Sequence, residues 1–310
     1  MPETLNIAVV GSIIVDLAVT TPRVPQVGEN LLAYSFKMGP GGKGANATVA
    51  LARLGARPLL FGRVGNDYFG QVELEALRKE GVRTDTVGID PQIHTGIAFI
   101  MVDDNRENTI LVAIGANAAL TTQEVEAALA SHWPRLDALL VNFEIPEEVA
   151  KSVVVGAHER GIPVVVDAGP PRHYSPETWG RATVLTPNEL EAGTLVGYPV
   201  EDEATAEKAA RDLLAKGPQA IVLKLGKRGA LLHTEREQLL VPAFPVQVVD
   251  TTGAGDAFTA ALTLGLAEGR PLAEAVRFAN AAGAIAVTRF GTMVAMPTRV
   301  EVEAFLSQRR

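Results

Sequence analysis

The chain has 310 residues, 47% hydrophobic and 21% charged, enough for one large core or two ordinary ones and incompatible with intrinsic disorder. Its 28 Lys and Arg against 36 Asp and Glu give a net charge of −8 with no basic run, so no nucleic-acid partner is expected. There is no cysteine, which excludes disulfides, thiolate metal sites and a cysteine nucleophile and suits a reducing, cytoplasmic setting. The five histidines form no i, i+4 pair, so a histidine zinc site is not expected either. The first residues, Met1–Asn6, lack the pattern of a signal peptide. No apolar run approaches the ~18 residues of a membrane span.

Taken in order, Ile7-Ala8-Val9-Val10 is a continuous apolar run of the kind found in the middle of a parallel sheet, and it ends at Gly11-Ser12. Asp16 follows shortly after, near the carboxyl end of that first strand, where open α/β sheets bind ligands. Residues 20–38, with Pro22, Pro25 and Gly28, predict an excursion from the main sheet with a short strand at Leu32–Phe36. A second excursion is the hairpin Thr95–Val102 with Asn108–Ile114, turned at Asp103–Arg106. The segments 13–40 and 95–114 are expected to form a small sheet over the site. Its apolar residues (Ile97, Phe99, Met101, Ile110, Val112) need a cover such as a second copy of the chain.

Elsewhere strand and helix patterns alternate. Strands are predicted at Leu59–Val64, Leu136–Phe143, Ile162–Asp167, Val184–Thr186 and Ala220–Leu225, with helices at Gly70–Glu80, Glu147–Arg160 and Thr205–Lys216. A hairpin, Ala230–His233 with Gln238–Val241, and two long helices, Ala257–Glu268 and Leu272–Thr288, complete the pattern. These units predict a doubly wound, mostly parallel sheet in a three-layer α/β/α arrangement. No repeat, low-complexity tract or linker divides residues 1–310, which read as a single domain. Polar residues recur at strand ends (Asp16, Glu144, Asp167, Asn188, Lys224, Asp250, Asp256), and in such a sheet these positions converge on one cleft.

Two glycine-rich stretches carry chemistry. Gly39-Pro40-Gly41-Gly42-Lys43-Gly44-Ala45-Asn46 opens a helical run, Ala47–Leu54. Gly39, Gly41 and Gly44 satisfy G-x-G-x-x-G, a weak dinucleotide signal, and a dehydrogenase built on it leaves the second stretch unexplained. The P-loop pattern fails, since Gly44 follows Lys43 and Lys37 stands where a glycine is required. What remains is a donor-rich helix entry with Lys43 and Asn46 able to hold hydroxyls or phosphate. The second stretch is Val248-Val249-Asp250-Thr251-Thr252-Gly253-Ala254-Gly255-Asp256-Ala257-Phe258. Bare backbone at 253–255 and a following helix N-terminus make an anion cradle. Asp256 inside that cradle is either a helix cap or a base that takes a proton from an attacking hydroxyl.

GGKGAN at 41–46 and DTTGAGDAF at 250–258, in this order, resemble the ribokinase-like (PfkB) carbohydrate kinase family. VVGSIIVDL near the start, IGANAAL at 114–120, TPNELEA at 186–192, LKLGKRGA at 223–230 and the tail 279–296 extend the resemblance over nearly the whole chain. It implies ATP-dependent phosphorylation of a sugar hydroxymethyl group, with Asp256 as base and the backbone of Gly253, Ala254, Gly255 and Asp256 as anion hole. Asp16, Gly42, Lys43, Asn46 and Glu144 match substrate-side positions. Asn188, Lys224, Gly226, Gly255 and Asn280 match nucleotide-side positions. Mg²⁺ travels with ATP, held largely by phosphates and water. The resemblance also implies a K⁺ site, with Asp250 and Thr252 as side-chain ligands and Ala286, Arg289 and Gly291 as carbonyl contributors; Ala295 removes one side-chain oxygen from it. A homodimer through the small sheet is a further family-based expectation.

Two departures bear on the substrate. Ile14 stands where such kinases commonly carry an asparagine that contacts sugar hydroxyls. A hydroxyl left unpaired there costs about 1–3 kcal/mol, so a different or less hydroxylated sugar, or a nucleoside, competes with ribose as the expected substrate. Asp167-Ala168-Gly169-Pro170-Pro171 replaces a more usual Asn-Pro-Ala-Pro run. A sugar-binding sensor without catalysis is the remaining reading, and the presence of Asp256 argues against it.

Overall fold

A computed structural model describes residues 4–105 and 107–309. Arg106, one residue of the turn expected at 103–106, and Met1–Glu3 of the N-terminal segment lie outside the described residues. The chain begins with β1 (Asn6–Val10), crosses to β2 (Ile14–Thr20) and returns on β3 (Ser35–Gly41) before α1 (Lys43–Arg53). Then come β4 (Arg57–Gly65), α2 (Tyr68–Lys79), β5 (Val87–Asp90), β6 (Gly96–Val102) and β7 (Asn108–Ala113). Alternating units continue through α3 (Thr122–Leu129), β8 (Ala138–Asn142), α4 (Glu147–Glu159), β9 (Val164–Asp167), α5 (Pro176–Trp179), β10 (Val184–Thr186) and α6 (Glu189–Val196). The last part holds α7 (Glu203–Leu214), β11 (Ala220–Lys224), β12 (Ala230–Thr234), β13 (Gln238–Val241), α8 (Ala254–Ala267), α9 (Leu272–Ala286) and α10 (Arg299–Ser307).

A nine-stranded sheet runs β13-β12-β11-β10-β9-β8-β1-β4-β5, parallel except where β12 and β13 turn back as the predicted hairpin. Its strands are apolar on both faces, and alternate residues feed separate cores. Ile7, Val9 and Val165 join the core under α1, α2, α8 and α9, whereas Ala8, Val10, Val164 and Val166 join the one under α3, α4 and α7. This is the expected three-layer α/β/α arrangement. No described helix is long and apolar enough to cross a membrane.

A second sheet, β3-β2-β6-β7, holds the two excursions, and here the structure corrects local expectations. The strand expected at Leu32–Phe36 lies at Ser35–Gly41, and Ile14–Thr20 is itself a strand. Asp16 therefore stands in the small sheet and not at the end of β1. Gly39, Pro40 and Gly41 belong to β3, paired with Asp16, Val15 and Ile14, and not to a flexible loop. Proline is tolerated because β3 is an edge strand, where a missing N–H costs no ladder bond. The apolar run before Asp250 is not a strand end; Val248 and Val249 lie exposed in irregular backbone. Both motif helices start earlier than expected, at Lys43 and Ala254, which puts Lys43, Asn46 and Asp256 in their first turns.

Candidate active site

Two helix starts make the site. α1 begins on Gly42 (φ 90°) and α8 on Gly253 (φ 76°), and neither has a side-chain cap. A Cβ on Gly42 would stand 2.6 Å from the Ile14 nitrogen, so glycine there serves both the left-handed backbone and the close approach. The two helices pack on each other and bring their first turns together. Asn46 donates from Nδ2 to Asp256 Oδ2 at 2.8 Å, and Lys43 Nζ lies 3.6 Å from Asp256 Oδ1. Asp256 is buried. Burial raises its carboxyl above the ordinary range, against the pull of Lys43, and the charge of Asp167 adds to the rise.

The backbone of α8 supplies donors. Helix geometry leaves the first N–H groups without intrahelical partners, and among the described residues those of Gly255 and Asp256 meet no other acceptor. The N–H of Ala254 instead turns to the Thr251 carbonyl at 3.3 Å, so the expected cradle of 253–256 is donor-rich at 255–256.

These residues line a cavity of about 1020 Å³, shared by Asp16, Gly42, Lys43, Asn46 and Glu144 with Asn188, Lys224, Gly226 and Asn280. Glu144 accepts from Ser12 Oγ at 2.5 Å. Asp16 accepts from Thr292 Oγ1 at 2.9 Å, and its carboxylate lies so close to Gly41 that a Cβ there would be 2.5 Å from Oδ2. Burial pushes Asp16 up to about 7; the Thr292 bond opposes the rise, and the acids Asp256, Glu144 and Asp250 add to it. On the other side, Asn188 caps α6, and Lys224 Nζ approaches the cradle, 3.8 Å from where a Gly255 Cβ would be. Asn280 donates to the Val241 and Pro242 carbonyls at 3.0 and 3.1 Å, so its amide nitrogen shapes the wall that carries 242–248.

The cation set is only partly assembled around Asp250. Its Oδ1 accepts from Thr252 N and Oγ1 at 3.0 and 2.7 Å, and its Oδ2 from Gly291 N at 3.0 Å. The Ala286 carbonyl accepts from Arg289 N at 3.1 Å, and the Arg289 guanidinium turns away to Glu301. Thr252 alone of this set lines the cavity. Among the described residues no group of three or more His, Asp and Glu could hold a metal ion.

Four residues of the site carry little or no sequence signal. Asp167 is visible only as one strand-end acid among several, and Glu191 only within the TPNELEA run. Asn117, wholly buried, exchanges bonds of 2.8 Å with both backbone groups of Ile13 and so ties the exit of the small sheet to the β1–β2 turn. Thr292 appears only within the tail 279–296, a lone hydroxyl whose partner lies 276 residues away.

A family model described as pfkB family carbohydrate kinase matches residues 4–299. The chain belongs to the pfkB family of carbohydrate kinases. This kinase is 42% identical to the ribokinase of Bacillus subtilis (strain 168) over 304 residues, covering 97% of the chain and 99% of that protein. It is 33% identical to the deoxyribokinase of Salmonella typhi, over 98% of the chain and 99% of the relative. Its fold matches a structure of Arabidopsis thaliana ribokinase complexed with ribose and ATP, with a TM-score of 0.91, 32% identity and coverage of 98% and 99%.

Proposed function

We propose that this kinase transfers the γ-phosphoryl group of ATP to the hydroxymethyl group of a sugar, with D-ribose as the first candidate. The observation that carries the reading is the placement of Asp256: a buried carboxyl at the start of α8, within reach of Lys43 and Asn46, beside free backbone N–H groups in one cavity. Asp256 takes the proton of the attacking hydroxyl. The N–H groups at 255–256, aided by Lys224, steady charge on the transferred group, which is where most of the rate arises in phosphoryl transfer. Asp16, Gly42, Lys43, Asn46 and Glu144 hold the sugar; Asn188, Lys224, Gly226 and Asn280 flank the nucleotide. The cavity lining carries more acids than bases, so ATP enters with Mg²⁺, which neutralises phosphate charge when bound. The oxygen donors around Asp250 and Thr252 suit a hard monovalent cation such as K⁺, held with carbonyls of Ala286, Arg289 and Gly291 beneath the cradle.

The small sheet, segments 13–40 and 95–114, acts as a lid over the sugar. Phe36, Tyr34 and Leu111 are 61%, 64% and 71% exposed on it, and a second copy of the chain covers them in a homodimer. Ile14 favours a second reading. It is 2% exposed on β2, lines the cavity with Ala98 and Ile100, and offers a hydroxyl no partner. A deoxyribose, as the name of the Salmonella relative suggests, or a nucleoside meets such a wall at lower cost. ADP release across a panel of D-ribose, 2-deoxy-D-ribose, hexoses and nucleosides tests both readings. Turnover greatest with D-ribose supports the first; turnover confined to 2-deoxyribose or nucleosides replaces it with the second; none in the panel removes the kinase assignment of the sugar site.

A further inference from the structure

Five charged side chains of alternating sign stand in a row through the cavity floor. Lys43 lies 3.6 Å from Asp256 and 3.9 Å from Asp167. Lys224 lies 2.9 Å from Asp167 and 3.7 Å from Glu191. The row joins helix α1, the end of β9, the end of β11 and the capping box of α6. It closes over Gly169, where a Cβ would meet Glu191 Oε1 at 2.6 Å and Lys43 Nζ at 2.8 Å, so the bare backbone is what lets these charges approach. Asp167 is the middle member, with a side chain only 4% exposed.

We propose that Asp167 is a positioning residue for phosphoryl transfer: it divides the Lys43 ammonium between itself and Asp256 and holds Lys224 on its other flank. The inference rests on Asp256 being the base. Without the middle acid the row breaks into two separate pairs, Lys43 with Asp256 and Lys224 with Glu191. Lys43 would then serve mainly Asp256, with weaker pulls from Glu191 and Glu144, stabilising the charged form of Asp256 and weakening it as a base. The charged groups facing Asp256 are Lys43 from α1, Asp167 from β9, Glu144 after β8 and Asp16 from β2. Only Lys43 and Asp167 change their share when the row is cut. Burial works against the charge of Asp167, but Lys224 and Lys43 outweigh it and keep its carboxyl below the ordinary range, so the middle member is ionised. Asp167 thereby ties the basicity of Asp256 to the ammonium on the nucleotide side, a link an uncharged side chain at 167 could not make.

The test is the pH dependence of kcat, measured from about pH 5 to 9 at saturating ATP–Mg²⁺ and saturating D-ribose or 2-deoxy-D-ribose, whichever turns over faster. Asp167→Asn keeps the shape of the side chain and should move the acidic limb of kcat to lower pH by about one unit. Lys224→Met cuts the row on the other side, frees Asp167 to draw Lys43 away from the base, and should move the limb upward. Shifts of opposite sign support the inference. A limb that stays in place in either variant, with unfolding curves showing both folded, reduces Asp167 to a structural ion pair. Should Asp167→Asn melt early, the Lys224→Met profile decides alone. The underlying assignment fails separately, if Asp256→Asn turns over near the wild-type rate.

Discussion

Helices α1 and α8 start alike and end up with opposite tasks. Each opens on a left-handed glycine without a side-chain cap, and each aims its positive end into the same cavity. α8 carries an acid in its first turn, the sign its dipole favours; α1 carries Lys43 there, which the dipole opposes by about 0.3–1 kcal/mol. The mismatch on α1 is offset across the helix interface, because Lys43 and Asn46 both turn toward Asp256. Burial favours the neutral form of Asp256, while Asp256 and Asp167 hold the Lys43 ammonium well above its ordinary range despite burial. One helix end thus carries the buried acid and the free donors, and the other carries the counter-charge that faces that acid. A helix N-terminus alone specifies neither role; the first-turn side chain does.

The largest way to break this division is at Asp256, the proposed base. Asp256→Asn should lower kcat by ~10²–10⁴ with ATP affinity unchanged, measured by ADP release and calorimetry. Retention of more than a tenth of the wild-type rate would remove Asp256 from the proton transfer. The next effect separates the two glycine caps. Gly42→Ala sets a Cβ against the Ile14 and Ser12 backbone, whereas Gly253→Ala meets chiefly the flexible end of Met296 at 3.1 Å. Gly253→Ala incurs the ~1–2 kcal/mol of a left-handed helical backbone, and Gly42→Ala, at φ 90° and ψ 137° outside that well, should lose roughly a further 1–3 kcal/mol from backbone strain and overpacking. Thermal unfolding compares them; equal losses would show that the two helix starts are not differently packed.

The smallest effect concerns Asp16. Its carboxyl sits near 7 in the folded protein against an ordinary value of 3.8. The unfolded chain releases its proton first, so the stability that Asp16 contributes is full below about 3.8 and is lost as pH rises to about 7. Binding a sugar hydroxyl through an ionised Asp16 runs the other way, so KM for the sugar should fall as pH rises through about 7. Thr292→Val removes a bond that favours the charged form and should move that KM transition to higher pH, with a few-fold higher KM at neutral pH. A KM transition unchanged by Thr292→Val would detach Asp16 from it.

The sequence is most readable where function sits in short runs. Gly42, Lys43 and Asn46, and Gly253 to Asp256, are close neighbours in the chain, so their spacing predicts two helix entries, while their meeting in one cleft is what the family resemblance implies. It is least readable where pairing overrides local preference. Gly39-Pro40-Gly41 has the composition of a loop, and only the partner strand β2 makes it β3. Asp16 shows the same conflict: its place just past β1 predicts a strand-end acid, its place within 13–40 predicts the small sheet, and the pairing of β2 with β3 and β6 puts it in the latter. Asp167 illustrates a third limit: a strand-end acid reads the same whether it faces solvent or two lysines.

The bond from Thr292 to Asp16 also orders events in time. Its partners lie 276 residues apart in the chain, and the Asn46–Asp256 contact spans 210 residues. Contacts so distant in sequence form late and slowly. Closing such contacts carries a loop-entropy cost that the local helix turns do not, so the Thr292–Asp16 and Asn46–Asp256 pairings are expected to complete the cavity after α1 and α8 have formed.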